Sequence, residues 1–262
     1  MISAISRQRG LSLIELLIAM LLGLILTAGA LGMMLASRNL NRTTDTQSRI
    51  QENGRFAIEF LNQGIAMAGY LSSSMDDASN SIFLNCASAQ CTKDGTGTNS
   101  DQIAAVLDPE DDVDCVGNTV ALNDIIANVY TVVDLDGDNV SSLYCRGYNI
   151  STNSWLGTGP QPLVDGVQNM QILYGINDDT SENGRRTKQY ISADSVTDWS
   201  AINTARIALL VNNGQPNGTG DTEAQSFNLL DVSGISCAEH HDCQVYITSI
   251  TLNNVIYNNA AR

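Results

Sequence analysis

The chain has 262 residues, with 13 Lys and Arg against 28 Asp and Glu and a net charge of −15 at pH 7. That length supports one anchor helix and one sizeable domain with its own core. The charge balance excludes nucleic acid as a partner, because a phosphate backbone is bound chiefly through Lys and Arg and no basic patch with interleaved aromatics follows the first apolar stretch.

Residues 1–10, MISAISRQRG, form a short basic leader. The stretch 11–35 that follows is apolar apart from one charged residue, Glu15. At 1.5 Å per residue this run makes a helix of roughly 37 Å, enough to cross a hydrocarbon layer of ~30 Å. A charge inside such a span costs about 2.5–3.5 kcal/mol on insertion scales, so Glu15 calls for a compensating cation. Arg7 and Arg9 precede the span and the acidic bulk follows it, which keeps the leader cytoplasmic and exports the rest. A secretory signal peptide cut near Ala28-Gly29-Ala30 fits poorly: its apolar core would be too long and would begin with a carboxylate.

Residues 36–70 contain no proline, and Ile50, Gly54, Ala57, Ile58, Leu61, Ile65 and Ala68 recur at steps of three and four. This predicts an amphipathic continuation of the helix, with Arg49, Glu52, Arg55, Glu59 and Asn62 facing solvent. From 71 to 262 the composition is that of a β-rich globular domain. It starts with a loop-rich region to Ser100, broken only by the apolar run Ile82 to Leu84. Strands are expected at 103–107, 128–133, 143–150, 170–176, 205–211 and 245–256, with a short helix at 192–202 capped by Ser192 or Asp194. The fold class is α+β: a long N-terminal helix packed on a mostly antiparallel sheet.

Six cysteines in an exported chain read as up to three disulfides among Cys86, Cys91, Cys115, Cys145, Cys237 and Cys243, with fifteen pairings open. Cys237-Ala-Glu-His-His-Asp-Cys243 could alternatively group thiols and imidazoles around a metal, but its spacing is not that of a zinc site. Asp134, Asp136 and Asp138 alternate around a glycine and could direct oxygens at calcium, the one cofactor candidate. The loop lacks the twelfth-position glutamate of a full EF-hand, and Asp-Gly is also a common hairpin turn, which is the favoured reading. The acidic run Asp108-Pro-Glu-Asp-Asp112 with Asp114 reads as a solvated loop. No phosphate-cradling glycine loop, no Gly-x-Ser-x-Gly elbow and no histidine flanked for base catalysis occurs, so an enzyme is not expected.

The junction Arg9-Gly10-Leu11-Ser12-Leu13-Ile14-Glu15-Leu16 resembles the prepilin signal of type IV pilins and pseudopilins. The resemblance implies cleavage by prepilin peptidase after Gly10, N-methylation of Leu11 in place of the usual phenylalanine, and pairing of Glu15 with the terminal amine of a neighbouring subunit. Leu163 to Gly175, Leu143-Tyr-Cys-Arg146, Thr204 to Leu210, Asp114-Cys-Val-Gly117 and Ala68-Gly-Tyr70 together resemble the PilW family of minor pilins, in the family's order. The C-terminal stretch Cys243 to Ile250 departs from it, lacking a basic approach to the last strand. The family-like motifs imply a Cys115–Cys145 disulfide, leaving Cys86–Cys91 and Cys237–Cys243 to close local loops. They also imply an inner-membrane protein with a periplasmic C-terminal domain that primes pilus assembly with other minor and major pilins at the tip, with a tip adhesin as a further partner. A J-type pseudopilin of type II secretion and a membrane-anchored calcium-binding or adhesive module are the alternatives.

Overall fold

The computed structural model describes residues 12–71, 82–86, 88–135, 137, 140–177, 186–214, 225–237 and 241–254; the leader, Gly10 and Leu11 lie outside them. The chain divides into two compact units, 1–47 and 48–262. Helix α1 (Leu13–Ala66) contributes to both. Leu, Ile, Ala and Met carry its first half, all residues that lose little rotamer freedom or none in a helix, except β-branched Ile. Thr27, Thr43 and Thr44 return their hydroxyls to carbonyls one turn back, at Gly23 (2.9 Å), Asn39 (3.1 Å) and Leu40 (2.9 Å), so these three donors are satisfied within the helix. The helix stops short of the expected Tyr70. Gly69 takes a left-handed φ of 81° and donates its N–H to Val106 O at 2.7 Å, tying the helix end to the first strand; a positive φ of this kind is nearly free only for glycine.

In the second unit the strands are β1 (Ile103–Leu107), β2 (Ile126–Val133), β3 (Ser142–Asn149), β4 (Ser154–Trp155), β5 (Gln161–Asp165), β6 (Val167–Ile176), β7 (Gln189–Ile191), β8 (Ile202–Asn212), β9 (Ser226–Leu229), β10 (Val232–Ser236) and β11 (Cys243–Thr251). Every pairing is antiparallel. The single sheet expected from the sequence is resolved into three ladders: β1-β2-β3-β4 with β5 also on β3, β11-β8-β6-β7, and the β9–β10 hairpin.

Both larger sheets turn their apolar faces to one core, which the second half of α1 closes. Ile50, Gly54, Ala57, Leu61 and Ile65 are the buried residues of the helix. Of these, Ala57, Leu61 and Ile65 pack with Tyr130 and Leu143 from one sheet and Ile172, Ile207 and Ile250 from the other. Burial of each Leu or Ile contributes about 1.5–3 kcal/mol. Two helix glycines permit the close approach: a Cβ at Gly54 would stand 2.5 Å from the Tyr246 ring, and one at Gly64 would overlap the Tyr130 hydroxyl.

The helix expected at 192–202 is instead two single 3₁₀ turns, Ala193–Ser195 and Trp199–Ala201. Neither proposed cap acts. Asp94 accepts from the N–H groups of Ala193 and Asp194 at 2.8 Å each, and Asp198 caps the second turn through Ser200 N. Amide groups held from another segment have no need of an α-helical ladder, which removes the local reason to continue.

Candidate functional site

Every large apolar side chain of α1 from Leu13 to Leu35 is exposed, from 50 % at Leu16 to 78 % at Met33. Fifteen such residues lie in this stretch. At about 1.5–3 kcal/mol for each side chain removed from water, leaving them wet costs on the order of 20–40 kcal/mol. That exceeds the net stability of an ordinary domain, so this half of the helix is built to be covered. It is long and apolar enough to cross a membrane.

Glu15 sits in the first turn and is exposed. Its N–H and that of Leu16 both point to Ser12 O, at 3.0 and 3.2 Å, which fixes the start of the helix one turn ahead of the carboxylate. A negative side chain is favoured there by the helix dipole, by about 0.3–1 kcal/mol, less than its cost in lipid. A Cβ placed on Gly23, Gly29 or Gly32 would meet no atom within 4 Å, so a neighbouring helix can approach the backbone closely at three points.

The structure closes Cys86–Cys91, Cys115–Cys145 and Cys237–Cys243. The last pairing ties up both sulfurs of the Cys237–Cys243 cluster, and among the described residues no group of three His, Cys, Asp or Glu side chains converges on a metal position. Of the calcium candidates Asp134 alone is described; Asp136 and Asp138 fall outside the described residues. Asp134 Oδ1 accepts from Gly137 N at 2.8 Å, the bond of a tight turn between β2 and β3.

Two carboxylates that sequence reasoning passed over are structural centres. Asp114, assigned to a solvated loop, is 5 % exposed. It accepts from Val116 N (3.0 Å), Asn118 N (2.8 Å), Asn118 Nδ2 (2.8 Å) and Gly147 N (3.2 Å), holding the turn beside Cys115 onto β3. Asp101, also 5 % exposed, accepts from Gly95 N (2.7 Å) and Ile172 N (2.6 Å). Burial pushes its carboxyl up to about 7 against the opposing pull of those two amides. An aspartate two residues before an apolar strand run was the available signal. Beside it lies a buried aromatic cluster of Phe83, Tyr174 and Trp199, with ring centroids 5.1–6.1 Å apart in edge-on contact. Burial raises the Tyr174 phenol well above its ordinary value.

Two family models match the chain. Type IV Pilus-assembly protein W matches residues 129–254, from the middle of β2 to the turn after β11, and the prokaryotic N-terminal methylation motif matches residues 5–31. No curated protein and no solved structure matches. The first match contains Leu143 to Arg146, Leu163 to Gly175 and Thr204 to Leu210. Asp114 to Gly117 and Ala68 to Tyr70 lie outside it.

Proposed function

Because the chain is a PilW-like type IV pilin, we propose that it is cut after Gly10, methylated at Leu11 and drawn from the inner membrane into a pilus, its C-terminal domain on the periplasmic side. There it primes assembly with other minor pilins at the filament tip. The observation that carries this reading is the uncovered apolar half of α1 bearing one carboxylate in its first turn, inside a segment that matches the methylation motif. The cost of Glu15 in lipid, about 2.5–3.5 kcal/mol, is small beside the apolar gain, so insertion does not need a partner for it. In a helix bundle, by contrast, an uncompensated charge is strongly unfavourable, and the amine of an adjoining subunit supplies the counter-charge. Glu15→Ala therefore leaves the chain in the membrane but outside the filament, while Gly10→Leu leaves a longer, uncut band. Normal pilus numbers in the Glu15→Ala strain would refute the pairing. If a deletion strain kept its pili but lost type II secretion, the role would be that of a pseudopilin.

A further inference from the structure

The outer face of the β11-β8-β6-β7 sheet is covered over only part of its length. Ala208 and Leu210 of β8 pack under Leu229 and Ile235 of the β9–β10 hairpin. Toward the start of β8 the same face is open, and its side chains are polar. There the register jumps, with Gly175 opposite Thr204 but Ile176 opposite Ile202. Asn203 is thus the extra residue of a bulge, a device that re-aims a side chain. Its amide reaches the outer face, where Oδ1 accepts from Thr187 Oγ1 at 2.8 Å. Asn203 is 7 % exposed and its Nδ2 has no acceptor among the described residues.

Around this amide the groups are donors. The Arg206 guanidinium stacks 4.0 Å from the Tyr190 ring centroid and donates Nε to Ser249 Oγ at 3.3 Å, which leaves its two terminal nitrogens without an acceptor among the described residues. Thr204 Oγ1 donates to Tyr190 Oη at 3.4 Å, so the phenol hydrogen is free to point outward. These hydrogen bonds and the nearby guanidinium lower the Tyr190 phenol below its ordinary value, against the effect of its partial burial. Arg186 stands exposed on the approach to β7. The sequence shows only Arg185-Arg186-Thr-Lys188-Gln-Tyr190; folding adds Arg206 and Asn203 from β8.

The fork of the stacked Arg206 guanidinium is complementary to a planar oxyanion that takes two hydrogen bonds at once, and through Tyr190, Thr204 and Thr187 it is linked to the buried Asn203 amide. An extended polyanion is disfavoured by the field of a chain at −15, whereas one carboxylate on a packed neighbour makes the short-range bonds without bringing a large charge. We propose that this shelf docks a side-chain carboxylate of a neighbouring pilus subunit on the Arg206 guanidinium, which the network of Tyr190, Thr204, Thr187 and Asn203 holds in position. The proposal rests on the type IV pilin reading.

The test compares Arg206→Lys, Arg206→Glu, Asn203→Ala and a deletion in the bacterium that makes the chain, counting surface pili and blotting the processed protein. Expected is loss of pili in the deletion and in Arg206→Glu, and a marked reduction in the other two, with the processed chain at its normal level in the three substituted strains. In parallel, the detergent-solubilised full chain is titrated with an end-blocked peptide carrying one glutamate, the same peptide with glutamine in its place, and inorganic phosphate. The glutamate peptide binds and its glutamine counterpart does not, and the former binds about tenfold more weakly to Arg206→Lys, the loss of roughly one bond of a bidentate pair. Wild-type pili in Arg206→Glu alongside none in the deletion would overturn the docking site while leaving the pilin reading standing. Binding of phosphate but not of the glutamate peptide would overturn the carboxylate. Unchanged pili in the deletion would overturn the pilin reading, and the docking site with it.

Discussion

Asp101 offers the sharpest test of the energetics inside the globular unit, because two opposing effects act on one carboxylate. Its two backbone donors at 2.7 and 2.6 Å favour the charged form, whereas burial to 5 % exposure favours the neutral one and prevails, raising the group from 3.8 to about 7. A carboxyl whose folded value lies above its unfolded value binds a proton in the native state that the unfolded chain has already released. Stability from this group is therefore complete below about pH 4, falls as pH rises toward 7 and is level above. Between pH 5 and pH 8 the loss amounts to ~2.5 kcal/mol by linkage at 1.36 kcal/mol per pH unit. Asp101→Asn abolishes that slope, although it sets an amide donor against one of the two N–H groups and so costs about 1–3 kcal/mol at low pH. Urea unfolding of the detergent-solubilised chain at pH 5, 6.5 and 8, read by near-ultraviolet dichroism of the Tyr174–Trp199 cluster, gives both curves. Convergence of wild type and variant as pH rises is expected. Parallel curves would show that the two amides outweigh burial and that Asp101 is charged throughout.

The two helix glycines should differ in their tolerance. Gly64→Ala pushes a methyl into the hydroxyl of Tyr130, which is 3 % exposed and cannot retreat, and so destabilises by about 1–3 kcal/mol despite the gain in helix propensity. Gly54→Ala meets only the partly exposed Tyr246 ring and costs less; equal losses in thermal unfolding would contradict this. Among the disulfides, serine replacement of Cys115 and Cys145, 30 residues apart, should cost about 3–4 kcal/mol in urea titration. For Cys86 and Cys91, 5 apart, about 2 kcal/mol is expected, the difference arising from loop closure in the unfolded chain. The reverse order would rule out chain entropy as the leading cause.

Periodic features were legible in the chain. The stripe Ile50, Gly54, Ala57, Leu61 and Ile65 repeats at helical spacing and is buried as expected, and the run 103–107 is strand β1. Short or irregular strands left no such trace: β5 begins Gln-Pro, β7 has three residues and β10 contains Gly234. What sequence reading could not reach was the role of acids that hold distant amides. Asp94 serves Ala193, Asp101 serves Ile172 and Asp114 serves Gly147, each across 33 residues or more. A carboxylate's partners at such separations follow from topology, and a local window reads it as solvated. The shelf at Arg206 was hidden for the same reason, since a register jump between Gly175 and Ile176 creates it.

In the proposed function, filament entry is not driven by the apolar half of α1 alone. Its fifteen exposed large side chains gain as much from lipid tails as from neighbouring helices, so the hydrophobic effect that keeps the helix out of water is nearly silent between membrane and bundle. The terms that remain are close packing, a charge that lipid tolerates poorly, and polar contacts between globular units. Gly23, Gly29 and Gly32 leave room for the first; in the proposed function Glu15 supplies the second, and in the proposed docking site Arg206 supplies the third. On this account, restoring the apolar character at Glu15 improves the helix as a membrane span while removing its reason to leave. Glu15→Ile should bring the chain more firmly into the membrane fraction and yield fewer pili, two changes of opposite sign from one substitution.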